Sequence, residues 1–174
     1  MNAQKGDRSM FVGQETLLSL TEIAIALAGF AAIVVSVRRR EKGDWTESDG
    51  DFFAGMILHS VFAAVFGLLP TLLHALTLDL TLSIEIAAPL LGIQIVCHSV
   101  AIMFSSTTPV WARIPLGVGT VLGLSQFLTF TDSPPEREFA FYTAGIIWHL
   151  FQAGMLFVLL TATRWGEGAG ESRD

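Results

Sequence analysis

Apolar residues run through this chain in five long blocks, separated by short breaks that hold nearly all of its charge. The hydrocarbon core of a bilayer is about 30 Å thick, and about 20 residues of helix cross it. Blocks at 16–37, 51–76, 82–104, 110–130 and 138–163 reach that length. The expected fold class is all-α, an integral membrane helical bundle. It forms one domain over 16–165, between a polar tail at 1–15 and a disordered polar tail at 166–174.

The breaks carry the punctuation of helix ends. Arg38-Arg39-Arg40 follows the first block directly. A signal peptide has its charge before a shorter apolar core, so the block reads as a retained span. Trp45 suits a membrane interface, and Thr46 or Ser48 suits a cap for the second block. Asp49 and Asp51 match the positive end of that helix's dipole, and Pro70 predicts a kink near its far end. Thr107-Thr108-Pro109 breaks the chain before the fourth block. Ser133-Pro134-Pro135-Glu136 reads as a start signal for the fifth, with Ser as cap, Pro at the first position and Glu at the third. The block at 110–130 departs most from the pattern, because it holds Arg113, Pro115, Gly117, Gly119 and Gly123. A re-entrant segment there, leaving four spans, is the alternative.

Lysine and arginine bias sets the orientation. Five spans with the N-terminus outside place Arg38, Arg39, Arg40, Lys42, Arg113, Arg164 and Arg173 inside, against Lys5, Arg8 and Arg137 outside. Four spans give a weaker bias, so five spans, N-out and C-in, is the expectation.

Composition agrees. The chain is 52% hydrophobic and 15% charged, where a soluble domain carries roughly a quarter charged residues. The net charge of −6 belongs to tails and loops. No basic–aromatic stripe points to nucleic acid. Cys97 is the single cysteine, which rules out an intramolecular disulfide. The layout looks like that of small multi-pass proteins of bacterial cytoplasmic membranes, a likeness of architecture that carries no function.

Within the apolar blocks, a few polar residues stand out. Tyr142, Gly145, His149 and Gln152 recur at helical spacing and make one small or polar face. His59, His98 and Gln94 add polar groups on the second and third blocks, and Glu22 on the first. An ionisable group inside a membrane faces protein, water or a ligand. By helical rise, His59 and His98 lie at a common depth of roughly 10 Å from the inner ends. His149 and Glu22 lie nearer mid-membrane, at about 20 Å. Glu22 and His149 would form a protonatable pair, with His59, His98, Gln94 and Gln152 extending a path to the inside. Such a chain suits transport of protons, a cation or a small solute.

A second reading makes His59 and His98 the axial ligands of a b-type haem in a redox subunit, with Ala63, Ala64 and Ser99 leaving room. A third makes the polar groups plain helix-to-helix hydrogen bonds in an accessory or assembly subunit, each bond worth about 0.6 kcal/mol. No HExxH, GxSxG, CxxC or phosphate-binding loop is present, so neither an enzyme nor a metal site is expected. Small-residue faces at Ala24/Ala28/Ala32 and Gly119/Gly123 predict close packing and self-association. Ala54-Gly55-Met56-Ile57-Leu58-His59 also echoes Ala144-Gly145-Ile146-Ile147-Trp148-His149. That echo fits an inverted repeat of spans one and two against four and five, although Ala, Gly and Ile are common here.

Overall fold

The computed structural model describes residues 13–38, 46–77, 79–104, 110–130 and 134–162. Five α-helices occupy them: α1 Gln14–Arg38, α2 Glu47–Thr77, α3 Leu80–Met103, α4 Val110–Ser125 and α5 Pro135–Ala162. A 3₁₀ segment, Gln126–Phe130, prolongs α4. No strand occurs among the described residues, and the all-α expectation holds. Trp45, Arg39, Arg40, the Thr107-Thr108-Pro109 break, Ser133 and the tails at 1–12 and 163–174 lie outside the described residues.

Four helices, α1, α2, α3 and α5, are long and apolar enough to cross a membrane. Their outward faces are apolar as well. Leu58, Val61, Val65 and Leu68 on α2, and Leu90 and Ile93 on α3, are exposed in rows one turn apart. Water would penalise such a surface and hydrocarbon would not. The fourth block behaves differently: α4 has 16 residues and then tightens into the five-residue 3₁₀ segment. The side chains at the junction compete with the backbone there. Ser125 Oγ and Gln126 Nε2 both donate to the Leu122 carbonyl, at 2.7 and 3.2 Å.

Helix starts follow local chemistry. Thr46 and Asp49 form a reciprocal capping box ahead of α2: Asp49 N–H donates to Thr46 Oγ1 and Thr46 N–H donates to Asp49 Oδ2, both at 3.2 Å. Of the two expected caps Thr46 is therefore the one used, and α2 begins at Glu47, a turn earlier than expected. Asp79 caps α3 by accepting from Leu82 N–H at 3.1 Å. At α5 the first helical residue is Pro135, and the carbonyl of Pro134 accepts from Arg137 N–H at 2.9 Å. The helices continue through Pro70, Pro89 and Pro115.

In the bundle, α2 is the central helix, packing on α1, α5 and α3, while α4 packs chiefly on α3. Partners along α2 and α5 run in opposite sequence order: His59 meets His149, and Phe66 meets Tyr142. The two helices are antiparallel. Because α4 packs mainly on α3 and only lightly on α5, whereas α1 packs mainly on α2, the α4/α5 half does not reproduce the packing of the α1/α2 half.

Two apolar layers fill the interior. One joins Leu17, Ala24, Ala63, Phe66, Ala88, Leu91, Tyr142 and Ile146. The other joins Ala31, Met56, Ala153 and Leu160. The inward face of α1 is Leu17, Thr21, Ala24, Ala31 and Val35, so Ala24 is buried but Ala32 is exposed. The expected Ala24/Ala28/Ala32 ridge is therefore rotated partly away from the core. Gly119 and Gly123 are spent inside the chain. A Cβ on Gly123 would lie 2.8 Å from Val96 Cγ2, and one on Gly119 would lie 2.7 Å from Trp148 Nε1.

Gly92 and Gly123 bring the backbones of α3 and α4 together, since a Cβ on Gly92 would stand 2.7 Å from the Gly123 carbonyl oxygen. Gly92→Val is expected to destabilise the protein by about 1–3 kcal/mol through overpacking. A Cβ on Gly29 would meet nothing within 4 Å, so Gly29→Ala is expected to leave stability unchanged or slightly raised. Thermal unfolding of both variants in detergent checks the contrast.

Candidate functional site

Three of the four histidines meet between the two apolar layers. His59 on α2 and His149 on α5 approach through their Nδ1 atoms at 3.0 Å. His149 Nε2 lies 2.8 Å from Gln94 Oε1 on α3. His98, one turn along α3 from Gln94, packs edge-on against His59 with ring centroids 4.8 Å apart. Phe62, one turn from His59, closes the group, with ring centroids 5.5 Å from His149 and 6.4 Å from His98.

The convergence follows from helix length and direction. His59 lies about 18 Å along α2 from Glu47, and His149 about 20 Å along α5 from Ala162. Antiparallel packing brings these two levels together. His59 therefore sits a turn deeper than expected, because α2 starts earlier. His98 is only about 8 Å from the end of α3, but α3 stops short of α2 and α5 at that side. The three rings thus share one level, and the expected difference in depth between His149 and the other two disappears.

Burial is graded across the group. His149 and His59 are 1% and 4% exposed, whereas Gln94 and His98 are half-buried. The accessible edge of the cluster is therefore its α3 side. The expected face of α5 is fully inward: Tyr142, Gly145, His149 and Gln152 are all buried. Gln152 nevertheless does not join the hydrogen-bonded group, and its Oε1 has no partner among the described residues. Glu22 is not brought in at all. It is exposed on α1, next to buried Thr21 and a third of a turn away from the inward face.

Three polar contacts were not anticipated from the sequence. Tyr142 OH donates to the Phe66 carbonyl, tying α5 to α2 two turns from the histidine pair. Gln126, expected near the hydrated surface, is fully buried and donates from Nε2 to the Phe141 carbonyl at 2.8 Å. Thr21 Oγ1 donates to the Leu17 carbonyl at 2.9 Å beside Gly67. Glycines mark two of these places and were the available signal: Gly145 lies against Leu91 and Gln126, and Gly67 against Thr21.

The geometry bears on the chemistry considered from sequence. His59 and His98 touch edge to face, as aromatic rings in contact do. Two rings in contact leave no gap for a macrocycle between them. Ser99, one of the residues expected to make room, faces Gly119 of α4 instead. The arrangement does not fit haem. Among the described residues, no group of three or more His, Cys, Asp or Glu side chains is placed to hold a metal ion. What the cluster does have is hydrogen-bonding nitrogens in series. No family model matches this chain, and no curated protein or solved structure matches it either.

Removing either histidine of the pair leaves the Nδ1 of the other without its partner in the interior. His149→Ala and His59→Ala are each expected to lower unfolding stability in detergent by about 1–3 kcal/mol, the cost of a buried polar group left unpaired. Glu22→Gln, on the outer face, is expected to change it by less than about 0.5 kcal/mol.

Proposed function

We infer that this chain is a multi-pass protein of a cytoplasmic membrane that passes protons between helices through His59, His149 and Gln94, with His98 at the accessible edge. The observation that carries this reading is the direct imidazole-to-imidazole hydrogen bond at 3.0 Å. Imidazole binds a proton at one nitrogen while releasing one from the other, and it does so near neutral pH. Rings bonded directly to one another leave no space for a hydrated cation or a solute, so of the substrates considered from sequence the proton fits best. Apolar layers lie on either side of the cluster. They would stop a water-filled ion path through the bundle and confine any transfer at this level to the hydrogen-bonded side chains themselves.

Five spans, N-out and C-in, remain the proposed topology. Together α4 and its 3₁₀ extension reach about 34 Å, enough to cross the hydrocarbon core. Gln152 and Glu22 take no part in the proposed relay.

Reconstitution into liposomes holding a pH-sensitive dye tests the reading, with a potassium gradient and valinomycin as the driving force. The wild-type protein is expected to acidify or alkalinise the lumen faster than protein-free vesicles do. His59→Ala and His149→Ala are expected to fall to the protein-free rate, and Glu22→Gln to keep the wild-type rate. Wild-type flux no greater than that of empty vesicles overturns the reading, as does full flux in both histidine variants.

A further inference from the structure

A neutral imidazole has one donor and one acceptor nitrogen, and which is which depends on its partners. With the Gln94 amide oxygen facing His149, the assignment at His149 follows from it. Gln94 Oε1 is an oxygen and only accepts, so His149 donates to it from Nε2 at 2.8 Å. With the ring neutral, His149 Nδ1 is then the acceptor. The 3.0 Å contact between the two Nδ1 atoms is a hydrogen bond only if His59 donates. His59 therefore carries its proton on Nδ1 and has its lone pair on Nε2. One amide oxygen settles two tautomers on two helices.

The other end of the same amide is unsatisfied. Gln94 Nε2, buried, has no hydrogen-bond partner among the described residues. An amide can present either end to the same neighbour by turning over. Turned, Gln94 would donate to His149 Nε2. His149 would then carry its proton on Nδ1 and donate to His59, reversing every bond in the row.

We propose that Gln94 is the positioning residue of this row: its amide oxygen fixes the tautomers of His149 and His59 and gives the hydrogen-bonded chain a single direction, and its turning reverses that direction. This rests on the relay reading above and gives it a cycle. A proton delivered by hydronium or another protonated donor binds the lone pair of His59 Nε2. The Nδ1–H bond of His59 breaks, leaving its electron pair on that nitrogen, and the proton passes to His149 Nδ1. The Nε2–H bond of His149 then breaks. An amide oxygen is too weak a base to keep that proton, so it leaves to water on the α3 side as the amide turns. One proton enters and one departs, both rings end neutral, and both have exchanged tautomer. The turned amide now donates to the bare Nε2. A further proton can follow in the same direction only after the rings and the amide return.

Nitrogen-15 magnetic resonance of the full chain in lipid bilayers, with labelled histidine, reads tautomers directly, and single His→Ala variants assign the signals. The wild type is expected to show His149 protonated on Nε2 and His59 on Nδ1. Gln94→Leu removes the acceptor while keeping similar volume, and both rings are expected to become tautomer mixtures. In His59→Ala, His149 is expected to keep its proton on Nε2, since Gln94 alone sets it. The proposal is overturned if wild-type His149 carries its proton on Nδ1, or if His59→Ala changes the form of His149. Unchanged tautomers in Gln94→Leu overturn it equally. Because tautomers are read without any flux, absence of proton transport would sink the relay reading while leaving this assignment standing, and the two failures are separable.

Discussion

An imidazole placed in hydrocarbon must find a hydrogen-bond partner, because nothing in the lipid supplies one. His59 and His149 find each other, and much of the bundle is arranged so that they can. Their contact fixes the register of α2 against α5 along the whole crossing. The Tyr142 hydroxyl reaching the Phe66 carbonyl pins the same register two turns away. With α2 and α5 set, α3 is placed by Gln94 meeting the second nitrogen of His149. The apolar layers then close on both sides of this polar level. One layer draws on four of the helices, α1, α2, α3 and α5. The other is made chiefly by α1, α2 and α5.

The remaining elements follow close backbone approach. Gly92 and Gly123 let α3 and α4 pack at a distance that any side chain would forbid. Gly119 seats Ser99 and Trp148 against α4, which keeps α4 on α3 and away from α2. Self-satisfaction of the backbone holds each helix, but small residues decide which helices become neighbours.

How much of this was legible in the sequence depends on the physical signal each feature leaves. Helix existence was plain, because a span needs about 20 apolar residues and few other structures do. The inward face of α5 was also legible, since Tyr142, Gly145, His149 and Gln152 break an otherwise apolar run at helical spacing. The rotation of α1 was not. Its alanines surround the helix, so no stripe distinguishes the core side, and Glu22 fell on the outside. The common depth of the three histidines was hidden for another reason. It depends on where α2 begins, which the Thr46–Asp49 capping box shifts by a turn, and on α3 being shorter than its neighbours at one end. Gln126 was misplaced because proximity to a helix end implied hydration, whereas a carbonyl of α5 lies within its reach.

The crossing of α2 and α5 has one more property. Ala-Gly-x-Ile-x-His occurs on both helices, and the two copies run antiparallel with their histidines in contact. The residue three before each histidine is buried on the same side of its own helix. Met56 shares a layer with Ala153, and Ile146 shares the other with Ala63. The contact is thus close to a two-fold axis lying in the plane of the membrane. One six-residue phrase read in both directions thus serves both sides of the central contact, while Leu156 against Gly55 and Leu91 and Gln126 against Gly145 give each copy its own surroundings.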